Sequence, residues 1–312
     1  MPTTDTETPD NFGEIVSFAE IKTDRIKDIF YSAGQIAFYD ACSLQRHAGF
    51  ATNERKLLIR YYKTHETVIF ITRCILMELS GERHRLAEAC VHFIREMSES
   101  DISVVVFPEE DTYDILAECF AANERVNEYL KWAVRNVNAP ISTIGDTLKA
   151  DKKLTAEVIG GKQTGKSDVY RRFFTAVRGN KAHADNLGEE LIAVCVHILS
   201  RLPGLADGKL CVVTDDKGAA AKIDSALKRT NVQYRGAKVM LFSTPKLVQY
   251  MYREHSDISE NELTAMLSQG ASGHVAVMGT TPYDLRVNEK ISMTSEELAR
   301  EIMEPNGIHI VF

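Results

Sequence analysis

QIAFYDACSL, residues 35–44, carries the pattern from which the rest of the chain can be read. Its first five residues form a short run without polar–apolar alternation, the pattern of a strand buried on both faces. The run ends on a carboxylate, Asp40. To either side, similar runs recur at residues 66–71 (ETVIFI), 102–107 (ISVVVF, closed by Pro108), 209–214 (KLCVVT) and 237–242 (AKVMLF). Between them the apolar residues fall at helical spacing, which predicts helices over 18–33, 53–62, 74–79, 84–97, 112–136, 187–202, 217–229, 245–253 and 259–267. Short apolar strands alternating with helices specify an α/β fold, a parallel sheet with helices on both faces.

Two segments fall outside the alternation. Residues 137–186 are polar and rich in Lys, Arg and Gly, and read as a helical, basic insertion that has no reason to be buried. Residues 269–312 read as a small α+β appendage with one helix at 295–304, for which Thr294 and Glu297 form a capping box and residues 305–307 the stop. The expected organisation is therefore a disordered acidic tail over 1–17, a main domain over 18–268 and the appendage over 269–312.

At 44% hydrophobic and 26% charged residues, the 312-residue chain has the composition of a globular protein with a substantial core. No apolar run approaches the roughly 20 residues that span a bilayer, and the acidic start is unlike a signal peptide. Six scattered cysteines without a CxxC pair read as reduced, buried thiols rather than a disulfide framework or a zinc site. The expected compartment is the cytoplasm, with no membrane partner. A net charge of -7 means that any nucleic-acid contact must be local.

In a parallel sheet the ligand site lies beyond the carboxyl ends of the strands. Asp40 follows the first strand, Glu78 lies about two helical turns after the second, and Asp215 and Asp216 follow the fourth. Glu189 and Glu190 open the helix that leads into the fourth strand. Right-handed crossovers gather these acids on one edge. Carboxylates that converge need compensating charge, and their hard oxygens favour Mg²⁺ or Mn²⁺ over zinc. Such an ion can activate water for attack at phosphorus. The alternative role of each single acid is to cap the helix it precedes.

The ordered set of segments resembles the PIN-domain family of metal-dependent ribonucleases. IAFYDACSL (36–44) is similar to that family's opening strand and first aspartate, and FITRCILMEL (70–79) to its second strand and following helix. LGEELIAVCVHIL (187–199), then CVVTDDKGAAAKI (211–223), resemble the paired "GE" and "TDD" segments of one branch. MLFSTPKLVQYMYREHSDISENEL (240–263) resembles that branch's tail. The resemblance implies a PIN-like endoribonuclease that holds Mg²⁺ or Mn²⁺ through Asp40, Glu78, Glu189 and Asp216, with Asp215 auxiliary. Glu190 competes with Glu189 for the third position. Cys42 stands where the family has a small polar residue, with Ser43 beside it. RNA is the implied partner, and many small members are toxins, so a protein inhibitor (antitoxin) and a second copy of the chain are further candidates.

One motif competes. GGKQTGKS, residues 160–167, matches the phosphate-binding G-x-x-x-x-G-K-S loop. Lys166 would cradle phosphates, Ser167 would hold Mg²⁺, and Asp215 would supply the acid of a nucleotide hydrolase. That motif needs a strand immediately before it and a helix after it. The segment also carries Lys152, Lys153, Lys162, Lys166, Arg171, Arg172, Arg178 and Lys181, among which Lys162, Lys166, Arg171 and Arg172 are the expected RNA-backbone contacts. His183 reads as a loop residue, and Tyr170, Phe173, Phe174 and Trp132 as core. A third reading is a catalytically degenerate scaffold that binds RNA or a protein partner.

Overall fold

The computed structural model describes residues 8–120, 123–137, 142–161, 168–182, 185–231, 236–268, 273–282, 285 and 290–312. The five apolar runs become β1 Gln35–Tyr39, β2 Thr67–Thr72, β3 Val104–Phe107, β4 Leu210–Val213 and β5 Met240–Phe242. They form one all-parallel sheet in the order β3-β2-β1-β4-β5. Every residue of β1 to β4 is buried, which is why these strands read as unbroken apolar runs. Ile36 is level with Val68 on one side and Leu210 on the other, so β1 is the central strand. Phe38, Phe70 and Phe107 pack edge-on and tilted against one another across β1, β2 and β3, with centroids 5.0–5.8 Å apart.

The helices, in chain order, are α1 Phe12–Val16, α2 Thr23–Ser32, α3 Ala41–Ala48, α4 Thr52–Thr64, α5 Arg73–Ser80, α6 Glu88–Glu99, α7 Thr112–Ala117, α8 Asn123–Val137, α9 Thr143–Ala150, α10 Lys152–Val158, α11 Asp168–Gly179, α12 Leu187–Leu199, α13 Lys217–Asn231, α14 Thr244–Glu254, α15 Glu260–Leu267 and α16 Ser295–Met303. A second, antiparallel sheet has the order β7-β6-β8, from β6 His274–Thr280, β7 Lys290–Thr294 and β8 His309–Ile310. Among the described residues no helix is long and apolar enough to cross a membrane.

α12 explains itself from sequence. It is apolar on nearly every side, so it must be surrounded, and it packs against α5, α7, α8 and α13. Glu189 is its one residue that is not buried.

Four expectations are corrected. Residues 8–17, read as part of a disordered tail, are ordered: Ile15 is in the core and Asn11 exchanges hydrogen bonds with the backbone of Leu86. The helix expected over 18–33 starts only at Thr23, because the backbone of Glu20 pairs with β3 and extends the sheet edge. The helix expected over 112–136 is two, α7 and α8. The insertion at 137–186, expected to stay out of the core, is part of it through Ile144, Leu148, Leu154, Val158, Phe173 and Phe174. In α11 the buried positions 169, 170, 173, 174 and 177 make one helical stripe, Arg171 and Arg172 lie off it, and Arg178 is itself buried.

The C-terminal segment has the expected helix, with its Thr294–Glu297 capping box, but it is tied into the main body. Gln249 on α14 donates to the carbonyl of Ile308 and accepts from the amide of Ile310, at 2.7 and 2.9 Å.

Candidate active site at the carboxyl edge of the sheet

The chain leaves β1 toward β2 and β3, then returns to lay β4 and β5 on the other side of β1. The order reverses between β1 and β4, and ligand crevices open at such switch points beyond the carboxyl ends of the strands. Asp40 follows β1 directly, and Thr214, Asp215 and Asp216 follow β4.

Asp40 is buried and sits at the N-cap of α3. Its Oδ1 accepts from the amide of Ala41 at 2.8 Å. Its Oδ2 accepts from the Thr214 hydroxyl and the Cys42 thiol, each at 2.9 Å. The same Thr214 hydroxyl accepts from the amide of Asp216 at 3.1 Å, so one side chain locks the two strand ends together. Asp216 turns Oδ1 onto the amides of Gly218 and Ala219, capping α13. Both aspartates therefore do serve as caps, and a carboxylate has lone pairs left over after such bonds.

The glutamates come from helices. Glu78 on α5 accepts from the amide of Gly188 at 3.0 Å through Oε1. A Cβ at position 188 would lie 2.6 Å from both Glu78 oxygens, so any larger residue there would displace the Glu78 carboxylate. Glu189 follows, with its Oε2 3.7 Å from the Lys222 ammonium on α13. Burial pushes the carboxyls of Glu78 and Glu189 up to about 7. Lys181 opposes this at Glu78 and Asp40 adds to it; at Glu189 both Asp216 and Asp40 add to it. Asp40 thus lies within electrostatic reach of both Glu78 and Glu189, and Glu189 within reach of Asp216.

Neighbouring acids part company here. Glu190 is buried against the backbone of α9, and its Oε2 has no hydrogen-bond partner among the described residues. Asp215 is bound into the protein. It accepts from the amide and hydroxyl of Thr244 at 2.7 and 2.6 Å and from Ser43 at 3.1 Å, with Arg46 3.6 Å away. Because the Thr244 hydroxyl donates to Asp215, it accepts from His47 Nε2 at 3.0 Å. His47 Nδ1 then accepts from Tyr39 at 2.8 Å, and the Tyr39 oxygen from Tyr62. Burial holds His47 down near 4, so the imidazole stays neutral as this chain of donors requires.

The expected basic contacts fare differently. Lys162, Lys166, Ser167 and His183 lie outside the described residues. Arg172 is paired with Glu157 and Asp168, and Arg171 faces Asp114; neither is brought to the acid edge. Tyr170, Phe173 and Phe174 are fully buried, and Trp132 is partly so. The glycines that open GGKQTGKS follow a helix, α10, where the nucleotide-binding motif needs a strand. Sequence reasoning placed Lys181 in the basic insertion and gave no role to Lys222 or Gly188; their approach to Glu78 and Glu189 depends on helix packing that no local pattern encodes.

Among the described residues no group of three or more His, Cys, Asp and Glu side chains stands ready to hold a metal ion, so an ion shared by these acids would draw them together. The donors suit a hard divalent cation. They are oxygens, and the two glutamates carry negative charge that the protein has balanced only in part. Comparison with protein-family models, curated proteins and solved structures finds no match.

Proposed function

We propose that the protein is a Mg²⁺- or Mn²⁺-dependent endoribonuclease of PIN type. What supports this reading is the position of Asp40 and Asp216 beyond β1 and β4 at the switch point of a β3-β2-β1-β4-β5 parallel sheet, with Glu189 in electrostatic reach of both and Glu78 in reach of Asp40. Asp40, Glu189 and Asp216 would hold the cation, with Glu78 beside them. When bound, the ion supplies Lewis-acid polarisation of the phosphodiester and makes water acidic enough to attack it.

The chain's own residues set up that chemistry. Thr214 fixes Asp40 relative to Asp216, and the amides of Gly218 and Ala219 hold one Asp216 oxygen. Lys222, part-exposed beside Glu189, would meet a backbone phosphate. Asp215 braces α3 and α14 and keeps the floor of the crevice rigid.

The test is cleavage of RNA in Mg²⁺ or Mn²⁺ by the purified chain. Asp40→Asn and Asp216→Asn should each lower the rate by about 10²- to 10³-fold, the scale on which charge-stabilising groups act, while circular dichroism stays unchanged. Full activity in both variants refutes the assignment. RNA binding without cleavage by the native protein would instead mark a scaffold that has lost its chemistry.

A further inference from the structure

Lys181 is 3% exposed, an unusual state for a lysine unless it is paired. Its ammonium lies 2.8 Å from Asp185 Oδ1 and 3.4 Å from Glu78 Oε1. The frame around it is built. The Lys181 amide closes a turn onto the carbonyl of Arg178 at 3.0 Å. Asp185 is held in place by the amide of Ala182 at 2.7 Å and the hydroxyl of Thr143 at 2.8 Å. Glu78 is pinned from the other side by Gly188.

We propose that Lys181 fills the second cation position of this site, so that the acid edge takes one divalent ion rather than two. The inference rests on reading the edge as a metal site. Two-metal nucleases set two ions about 4 Å apart to stabilise attacking and leaving oxygens. A second ion here would have to reach Glu78 at about 2.1 Å, yet one oxygen of that carboxylate already faces an ammonium and an amide. A divalent ion beside a fixed ammonium meets like charge in a poorly solvated place. The ammonium instead supplies the positive charge on the Glu78 side, and Asp40, Glu189 and Asp216 are left to share a single ion. The insertion then contributes a cation to the centre of the site and not to its rim.

The experiment counts bound Mn²⁺ on the full chain by calorimetric titration and by electron paramagnetic resonance. The native protein should bind one ion, Lys181→Arg one, and Lys181→Met two. Coupling between the two Mn²⁺ centres should appear only in Lys181→Met, a signature that a merely structural lysine would not alter. If Lys181→Met does not fold without metal, it is purified in Mn²⁺ and its ions are counted after desalting. If it does not fold at all, the native count decides, one ion upholding the inference. Two ions in the native chain, or one in a folded Lys181→Met, overturn it while leaving the metal site standing. No ion in the native chain removes the metal reading itself, and this inference with it.

Discussion

Glu109 and Glu110 follow β3 at the same edge of the sheet where Asp40 follows β1 and Asp216 follows β4, but their surroundings differ. Arg178, 1% exposed, reaches in from α11 and bonds Glu109 at 2.6 Å and Glu110 at 2.8 and 3.2 Å. The remaining Glu109 oxygen accepts from the amide of Cys74 at 2.8 Å. In that cluster burial pushes the Glu109 carboxyl up with Arg178 opposing it, while Arg178 and Arg73 hold the Glu110 carboxyl down against burial. At the β1–β4 crevice the nearest cations are Lys222, 3.7 Å from Glu189, and Lys181 at Glu78, and both glutamates are pushed up to about 7. An acid at a strand end is therefore not informative in itself. What separates the two regions is how closely the fold sets a counter-charge against each carboxylate.

The largest effect should come from breaking the Arg178 cluster. Arg178→Met leaves Glu109 buried without its partner and should cost about 3–5 kcal/mol of stability, read as a lower urea midpoint. Adding Glu109→Gln should recover part of the loss. A change under about 0.5 kcal/mol, the range of ordinary surface substitutions, would mean that the ion pair does not hold the insertion in place. Replacing the whole insertion by a Gly/Ser linker should, by the same logic, abolish cooperative unfolding.

A smaller effect is expected from Glu190, the neighbour of Glu189 on α12. Burial raises its carboxyl from 4.5 to about 7 in the folded chain. The folded state therefore holds the proton more tightly than the unfolded state. The associated stability is fully present below pH 4.5 and is lost as pH rises through about 7. Glu78 and Glu189, raised in the same direction, add to that slope. Glu190→Gln should stabilise the metal-free protein by about 2 kcal/mol at pH 8 and change little at pH 4, since each tenfold difference in proton affinity between the folded and unfolded states is worth about 1.4 kcal/mol. Denaturant titrations at the two pH values check this, and an equal change at both would contradict it.

The smallest effect is expected at Arg172, whose charge is already met by Glu157 and Asp168. Arg172→Ala should change the salt slope of RNA binding by well under the roughly one unit that a phosphate contact contributes. Lys222→Ala should lower it by about one. The opposite ranking would put the RNA path over the insertion and away from the crevice.

Local sequence pattern was enough to establish the sheet and the positions of its acids. β1 to β4 are buried on both faces and so must be continuous apolar runs that can be read directly, together with the carboxylates that follow β1 and β4; β5, only partly buried, is an apolar run as well. The capping boxes of α15 and α16 are equally local, since they need only residues three apart. Packing settled the rest. Asp215 and Asp216 are adjacent and chemically identical, yet one is enclosed by Ser43, Thr244 and Arg46 while the other caps α13 at the crevice. The choice between Glu189 and Glu190 turns on which way α12 is rotated when its apolar surface is buried. The insertion misled because its basic residues dominate its composition. Burial of α11 follows from the spacing of Val169, Phe173 and Val177, and the place where Arg178 and Lys181 end up depends on what that stripe packs against. Charges are matched across space, between residues that sequence keeps far apart, and only the packed chain brings them together.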